Sequence, residues 1–167
     1  MKQSEAKITL TIKEWHNNHP RYADLTQIIE QEKQTGWVNF SADWHQSSHI
    51  LVATRGETIV GFLRYVVQEI GPDMDCPPIK LEGRALTESK ILAFGVPEVY
   101  RRQGIGRALQ SEALRRAKDH GCHQVRSRNS GHYSPASHQL KLSMGFAVHP
   151  TGDETDKHDV YFVKPVN

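Results

Sequence analysis

This chain has no long apolar run. None of its 167 residues falls in a stretch apolar enough for the roughly 20 positions of a membrane-spanning helix. Residues 1–10 do not read as a secretory signal either. Cysteine is scarce. Cys76 and Cys122 are the only two, far apart and without metal-ligand spacing. That excludes a disulfide scaffold and fits a reduced, cytoplasmic protein. Charge of one sign is missing too: 21 Lys and Arg face 19 Asp and Glu, a net +2, too little to argue for a nucleic-acid partner. Repeats, low-complexity tracts and interdomain linkers are absent. The chain therefore reads as one domain, 1–167, long enough for a real core.

What is there is organised around Arg101-Arg102-Gln103-Gly104-Ile105-Gly106-Arg107. The apolar run Ile91-Leu92-Ala93-Phe94-Gly95-Val96 before it reads as a buried strand. After it, Ile105, Ala108, Leu109, Ala113, Leu114 and Ala117 recur at helical spacing. The stretch is thus a Gly-rich, cationic strand-to-helix turn. A helix start offers N–H groups without internal partners and a partial positive charge. Gly104 and Gly106 let a ligand approach the backbone, and Arg101, Arg102 and Arg107 add full charges. Together they form a phosphate cradle. A P-loop is excluded, because Arg107-Ala108 stands where Lys-Ser/Thr is needed. A dinucleotide fingerprint is disfavoured, because its third glycine is Leu109.

The rest of the chain reads in order. Ile8, Leu10 and Ile12 alternate with polar residues in an opening strand over 7–13. Pro20 begins a helix to about Gln34, with Gly36 as its stop. Ser41-Ala42-Asp43-Trp44 reads as the start of a short second helix. Strands at Ile50–Ala53 and Thr58–Glu69 form a hairpin around Arg55-Gly56-Glu57. Gly71 to Gly83, with three prolines, reads as a long loop lacking structure of its own. A strand at 86–96, the turn, a helix ending at Gly121 and a strand at 122–127 follow. Ser134-Pro135 opens a helix that stops at Gly145. Strands at 146–149 and 160–163 close the chain.

Arg-x-x-Gly-x-Gly at 101–106, the amphipathic helix behind it and the Gly145-Phe146 pair downstream resemble the GNAT superfamily of N-acetyltransferases. The element order β-α-α-β-β-β-α-β-α-β-β is similar as well. The resemblance covers most of the chain and is specific over 86–146. It implies an α/β (α+β) fold whose mixed, mostly antiparallel sheet is splayed between the fourth and fifth strands. It implies acetyl-CoA as co-substrate, no metal, and direct transfer to an amine acceptor in a ternary complex. It points to no nucleic acid and no membrane, and leaves room for a homodimer. The competing reading is a non-catalytic acyl-CoA-binding sensor or interaction module.

The resemblance also assigns residues. The cradle, Arg101, Arg102, Gln103, Gly104, Ile105, Gly106 and Arg107, would hold the pyrophosphate. The backbone of Phe94 and Val96 would bond the pantetheine arm, and a strand N–H would polarise the thioester carbonyl. Asn129 matches a position that contacts the same arm. The family's usual general acid is a Tyr four residues before the Gly of Gly-Phe, and here that position is Lys141. Lys141 could protonate the departing thiolate, bind phosphate, or be an exposed helix lysine; Tyr133 and His138 are substitutes. For the base, Glu88 shares parity with Phe94 and Val96 and would face the cleft, while Glu82 lies in the preceding loop. Of the ten histidines, His45 and His49 would share a helix face, but no third ligand is patterned around them. The acceptor would enter opposite the co-substrate, flanked by 17–47 and 71–83.

Overall fold

The strands expected from alternation, apolar runs and β-branched composition form, with shifted ends. The computed structural model describes residues 8–129, 135–150 and 160–166. Strand β1 is Leu10–Glu14. Helices α1 (Tyr22–Gln31) and α2 (Thr35–Asn39) follow. Then come β2 (His45–Arg55), β3 (Thr58–Glu69) and β4 (Thr87–Gly95). Next are α3 (Ile105–Asp119), β5 (Gln124–Asn129), α4 (Pro135–Ser143), β6 (Ala147–Pro150) and β7 (Val160–Pro165). The seven strands form one mixed sheet in the order β1-β2-β3-β4-β5-β7-β6. Every neighbouring pair is antiparallel except β4–β5, which is parallel because α3 carries the chain back across the sheet.

Two apolar clusters sandwich the sheet. On one face Leu63, Tyr65, Val67, Ile91 and Val125 pack under α3 through Ile105, Leu109, Ala113 and Ala117. On the other, Phe62, Ala93, Val52 and Ile59 pack against Leu25 and Ile29 of α1. Two left-handed glycines end helices as expected. At Gly121 (φ 75°), Cys122 N–H returns to Ala117 O at 2.9 Å; at Gly145 (φ 85°), Phe146 N–H returns to Lys141 O at 3.0 Å.

Several expectations are corrected. Gly36 does not stop α1; Lys33, at φ 57°, does, and Gly36 lies inside α2. Ser41–Trp44 does not open a helix, because β2 already begins at His45. His45 and His49 therefore sit on a strand and share no helix face. The 71–83 segment has structure of its own: a 3-10 turn at Pro72–Met74 and a small hairpin pairing Lys80–Leu81 with Arg84–Ala85. Glu82 (φ 52°) and Gly83 (φ 79°) make its two-residue turn, so Glu82 stands at an exposed tip.

The parity argument for Glu88 also fails. Tyr65 pairs with Ile91 and Arg64 with Ala93, so Leu92 is an extra residue, a β-bulge. Beyond it the strand's faces swap. Glu88 and Lys90 lie on the α1 face, whereas Phe94 joins the α3 cluster.

Candidate active site

The bulge in β4 has a second consequence. β4 and β5 pair from Glu88–Gln124 to Ile91–Ser127 and no further, although β4 runs on to Gly95 and β5 to Asn129. The far edge of β4 stays bound to β3 as far as Gly95, opposite Phe62. The two parallel strands thus fork. The edge of Leu92–Gly95 facing β5 is not taken up by that strand, as a strand-like ligand would require.

The cradle lies where β4 delivers the chain to α3. Arg102 (φ 62°) and Gly104 (φ 80°) are both left-handed, which turns the backbone sharply into the helix. Among the described residues no side chain caps α3. Among the described residues, no backbone carbonyl meets the N–H groups of Ile105, Gly106 and Arg107; the first internal bond is Ala108 N–H to Gly104 O at 3.0 Å. A Cβ on Gly104 would meet nothing within 4 Å, so space lies open over these donors. Gly106 has a packing role. A Cβ there would sit 3.1 Å from Phe94 Cζ and 3.3 Å from Leu140 Cδ2, so the glycine lets α3, β4 and α4 close up.

The arginines differ in their work. Arg101 donates from Nε to Val96 O at 2.8 Å and lies 3.5 Å from Glu32, just past the end of α1. It braces the turn, and it uses the carbonyl of Val96. Arg107 reaches Ser143 Oγ at 2.8 Å and ties α3 to α4. Arg102 is exposed. Gln103 accepts from Arg55 of β2.

Lys141 is not a surface lysine: it is 2% exposed. Its amine donates to Ser127 Oγ at 2.8 Å and lies 5.2 Å from the centre of the Phe162 ring. Ser127 belongs to the last β4–β5 pair, so the amine sits at the root of the fork. Burial lowers its pKa from 10.5 to about 7. His138, one turn earlier on α4, also packs on Phe162, at 5.2 Å between ring centres. Tyr133 and the cap residue Ser134 lie outside the described residues.

A forked parallel pair, an uncapped helix start beyond it and a buried amine at its root are thus brought together by the fold. Residues 10–146 match the Acetyltransferase (GNAT) family. The chain belongs to the GNAT acetyltransferase family. It is, accordingly, an acetyl-CoA-dependent N-acetyltransferase. Among solved structures it is similar to NAA60 of Arabidopsis thaliana in complex with acetyl-CoA, at TM-score 0.71 and 18% identity over 95% of this chain and 99% of that one. It is similar to the ribosomal-protein-S18-alanine N-acetyltransferase of Escherichia coli, at 0.61 and 16% over 95% of each chain. It is similar to Ard1 of Thermoplasma volcanium, at 0.60 and 20% over 95% and 98%. At these identities the likeness is one of fold. No curated relative matches the sequence.

On the opposite face of this GNAT sheet lies a charged cluster that sequence reasoning missed. Glu88 is fully buried and accepts from Arg126 Nε at 2.9 Å on both oxygens. Gln124 and Gln68 approach the same carboxylate at 3.2 and 3.5 Å. Arg126 also reaches Asp73 Oδ2 at 2.5 Å and stacks 4.8 Å above the Tyr161 ring. Lys90 meets Asp73 Oδ2 at 2.7 Å. The one available signal was Arg126 between Val125 and Ser127, a charge on a strand whose alternate residues face α3 and α4.

Removing one partner of such a pair strands the other charge. Arg126→Met is expected to cost about 3–5 kcal/mol, measured by urea unfolding. A loss under about 1 kcal/mol would show that the pair contributes no more than a surface bridge. Cys122 is buried, and burial raises its thiol pKa, so it acts as core rather than nucleophile. No group of three or more metal-binding side chains occurs among the described residues.

Proposed function

We propose that this chain moves the acetyl group directly from acetyl-CoA to an amine in a ternary complex, with no acyl-enzyme. The observation carrying this reading is the fork. β4 and β5 part after Ile91–Ser127, the buried Lys141 amine bonds that same Ser127, and the uncapped start of α3 follows β4. Acetyl-CoA supplies an activated acyl carbon and a thiolate leaving group. The chain's own residues do the rest. Backbone groups of Phe94 and Val96 hold the pantetheine arm, and a β4 N–H faces the thioester oxygen. Residues 101–107 hold the pyrophosphate through N–H groups and the charge of Arg102, with Arg101 and Arg107 bracing the turn. Asn129 contacts the arm from β5. Lys141 gives a proton to the departing sulfur. Much of the rate then comes from alignment of two reactive partners.

Glu88 enters this scheme as a positioning residue rather than a free base. Its salt bridge with Arg126 fastens β4 to β5 just below the fork. The reading fits a reducing cytoplasm, where Cys76 and Cys122 stay thiols. The test is free CoA release from acetyl-CoA with a panel of amines. Acetyl-CoA bound without turnover on any amine would favour the sensor reading.

The acceptor reaches the fork from the α1 face, between the 17–47 region and the 71–83 segment. Exchanging 71–83 for a short Gly-Ser linker is expected to shift acceptor preference at least about tenfold while acetyl-CoA affinity changes less. Steady-state kinetics read both, and the opposite pattern would put the acceptor elsewhere.

A further inference from the structure

Asp73 is the member of the charged cluster whose bonding is incomplete. Its side chain is 3% exposed. Oδ2 receives both Lys90 and Arg126, while Oδ1 is buried with no hydrogen-bond partner among the described residues. A carboxylate oxygen kept from water without a donor is costly, so such an atom invites one from outside the chain. Its place is specific. Lys90 and Arg126 face each other across β4 and β5, one pair before Ile91–Ser127, where the fork opens. Asp73 therefore caps the sheet beside the fork, on the face away from Lys141.

An apolar strip leads to it. Trp37 packs on Phe40 (5.9 Å between ring centres), Phe40 on His45 (5.6 Å) and Trp44 on His45 (6.4 Å). Trp37, Phe40 and Trp44 are 50%, 39% and 40% exposed, and Met74, next to Asp73, is 49% exposed. Large apolar side chains gathered in solvent mark a contact surface. His45 pairs with Gln68 across β2 and β3, and Gln68 donates to Glu88 at 3.5 Å, so the strip and the charged cluster share one face of the sheet.

We propose that Asp73 Oδ1 receives the protonated amine of the acceptor, and that the acceptor carries this amine on an apolar arm lying along Trp44, Phe40 and Met74. This rests on the transfer reading above and specifies its acceptor. Burial alone would raise the Asp73 carboxyl, but hydrogen bonds and charge from Lys90 and Arg126 outweigh it and hold its pKa below the usual value. The group stays ionised at neutral pH. It anchors an ammonium and does not take its proton, which passes to water before attack.

The probes are phenethylamine, which has an apolar arm, and ethanolamine, which has a polar one. The wild-type chain should acetylate phenethylamine with kcat/KM about tenfold or more above ethanolamine. Asp73→Asn should raise the KM for phenethylamine about 10- to 100-fold, with kcat and the Kd for acetyl-CoA within about twofold. A merely structural role would move all three together and would overturn the assignment, as would an unchanged KM. Trp44→Ala, at an exposed position, does not depend on Asp73→Asn folding. It should erase the preference for phenethylamine and leave ethanolamine untouched; an intact preference overturns the apolar arm. Failure of the wild-type chain to bind acetyl-CoA would instead overturn the transfer reading itself. Transfer to ethanolamine but not phenethylamine would overturn only the acceptor class.

Discussion

Gly104→Asp is expected to abolish acetyl-CoA binding while leaving the fold standing. The two effects separate because of where Gly104 sits. A Cβ there meets nothing within 4 Å, so no core contact is disturbed. Its φ of 80° strains most side chains, but Asp is among those that tolerate it, at a cost of about 1 kcal/mol. The new carboxylate would stand directly before the uncapped first turn of α3. It would take the N–H groups of Gly106 and Arg107 for itself, as an N-terminal cap does, and repel an incoming diphosphate. Affinity should fall by at least about a hundredfold, since several charge-assisted bonds are lost together. Calorimetry with acetyl-CoA reads the affinity, and a circular-dichroism melt reads the fold. A folded variant that binds acetyl-CoA as tightly as before would move the phosphate site away from 101–107.

Lys141→Ala is expected to lower kcat about a hundred- to ten-thousandfold, the span typical of a general acid, with acetyl-CoA affinity nearly intact. A thiol has a reference pKa of about 8.5, so a thiolate leaves tolerably without help, and activity should be slowed rather than lost. The pH dependence identifies the role. Lys141 titrates at about 7, so its proton-bearing form prevails below that pH and is lost above it. In the wild-type chain kcat should carry a limb that falls as pH rises through about 7, and Lys141→Ala should lack it. Lys141→Tyr, a phenol at the same helix position, should retain activity and move the limb upward, toward the phenol's reference value of about 10. If Lys141→Ala weakens only acetyl-CoA binding, the amine is a ligand contact and not the acid.

The same burial affects stability. The folded pKa is below the unfolded one, so between about 7 and 10.5 the unfolded chain holds the extra proton. Stability should therefore rise with pH across that window as this cost is relieved. Lys141→Met should remove the slope and stabilise the protein most below pH 7.

The elements and the cradle were legible from the chain because both are local. Period-two alternation writes β1, β-branched and aromatic composition writes β3, helical spacing writes α3, and Gly121 and Gly145 mark helix ends through the left-handed backbone they adopt. The glycines and arginines of 101–107 lie within one turn, so the sequence by itself determined a cationic, glycine-bearing helix start there. It could not determine the roles of the arginines. Arg101 and Arg107 are drawn off to Glu32 and Ser143, which lie far away in sequence, and Arg101 also holds the nearby Val96 carbonyl.

Long-range register decided the rest. One extra residue, Leu92, swaps the faces of β4, and no periodicity count across it could place Glu88 and Phe94 correctly. Burial decided Lys141. A lysine in a nine-residue helix looks solvated in sequence, yet the packing of α4 on β5 and Phe162 takes its amine out of water and lowers its pKa. The Glu88–Arg126–Asp73–Lys90 cluster joins three separate segments of the chain. Each of its charges looks like ordinary surface polarity in the sequence. Only when β4, β5 and the 72–74 turn close over one another do they lose water and have to satisfy each other, and that closure is a property of the tertiary structure alone.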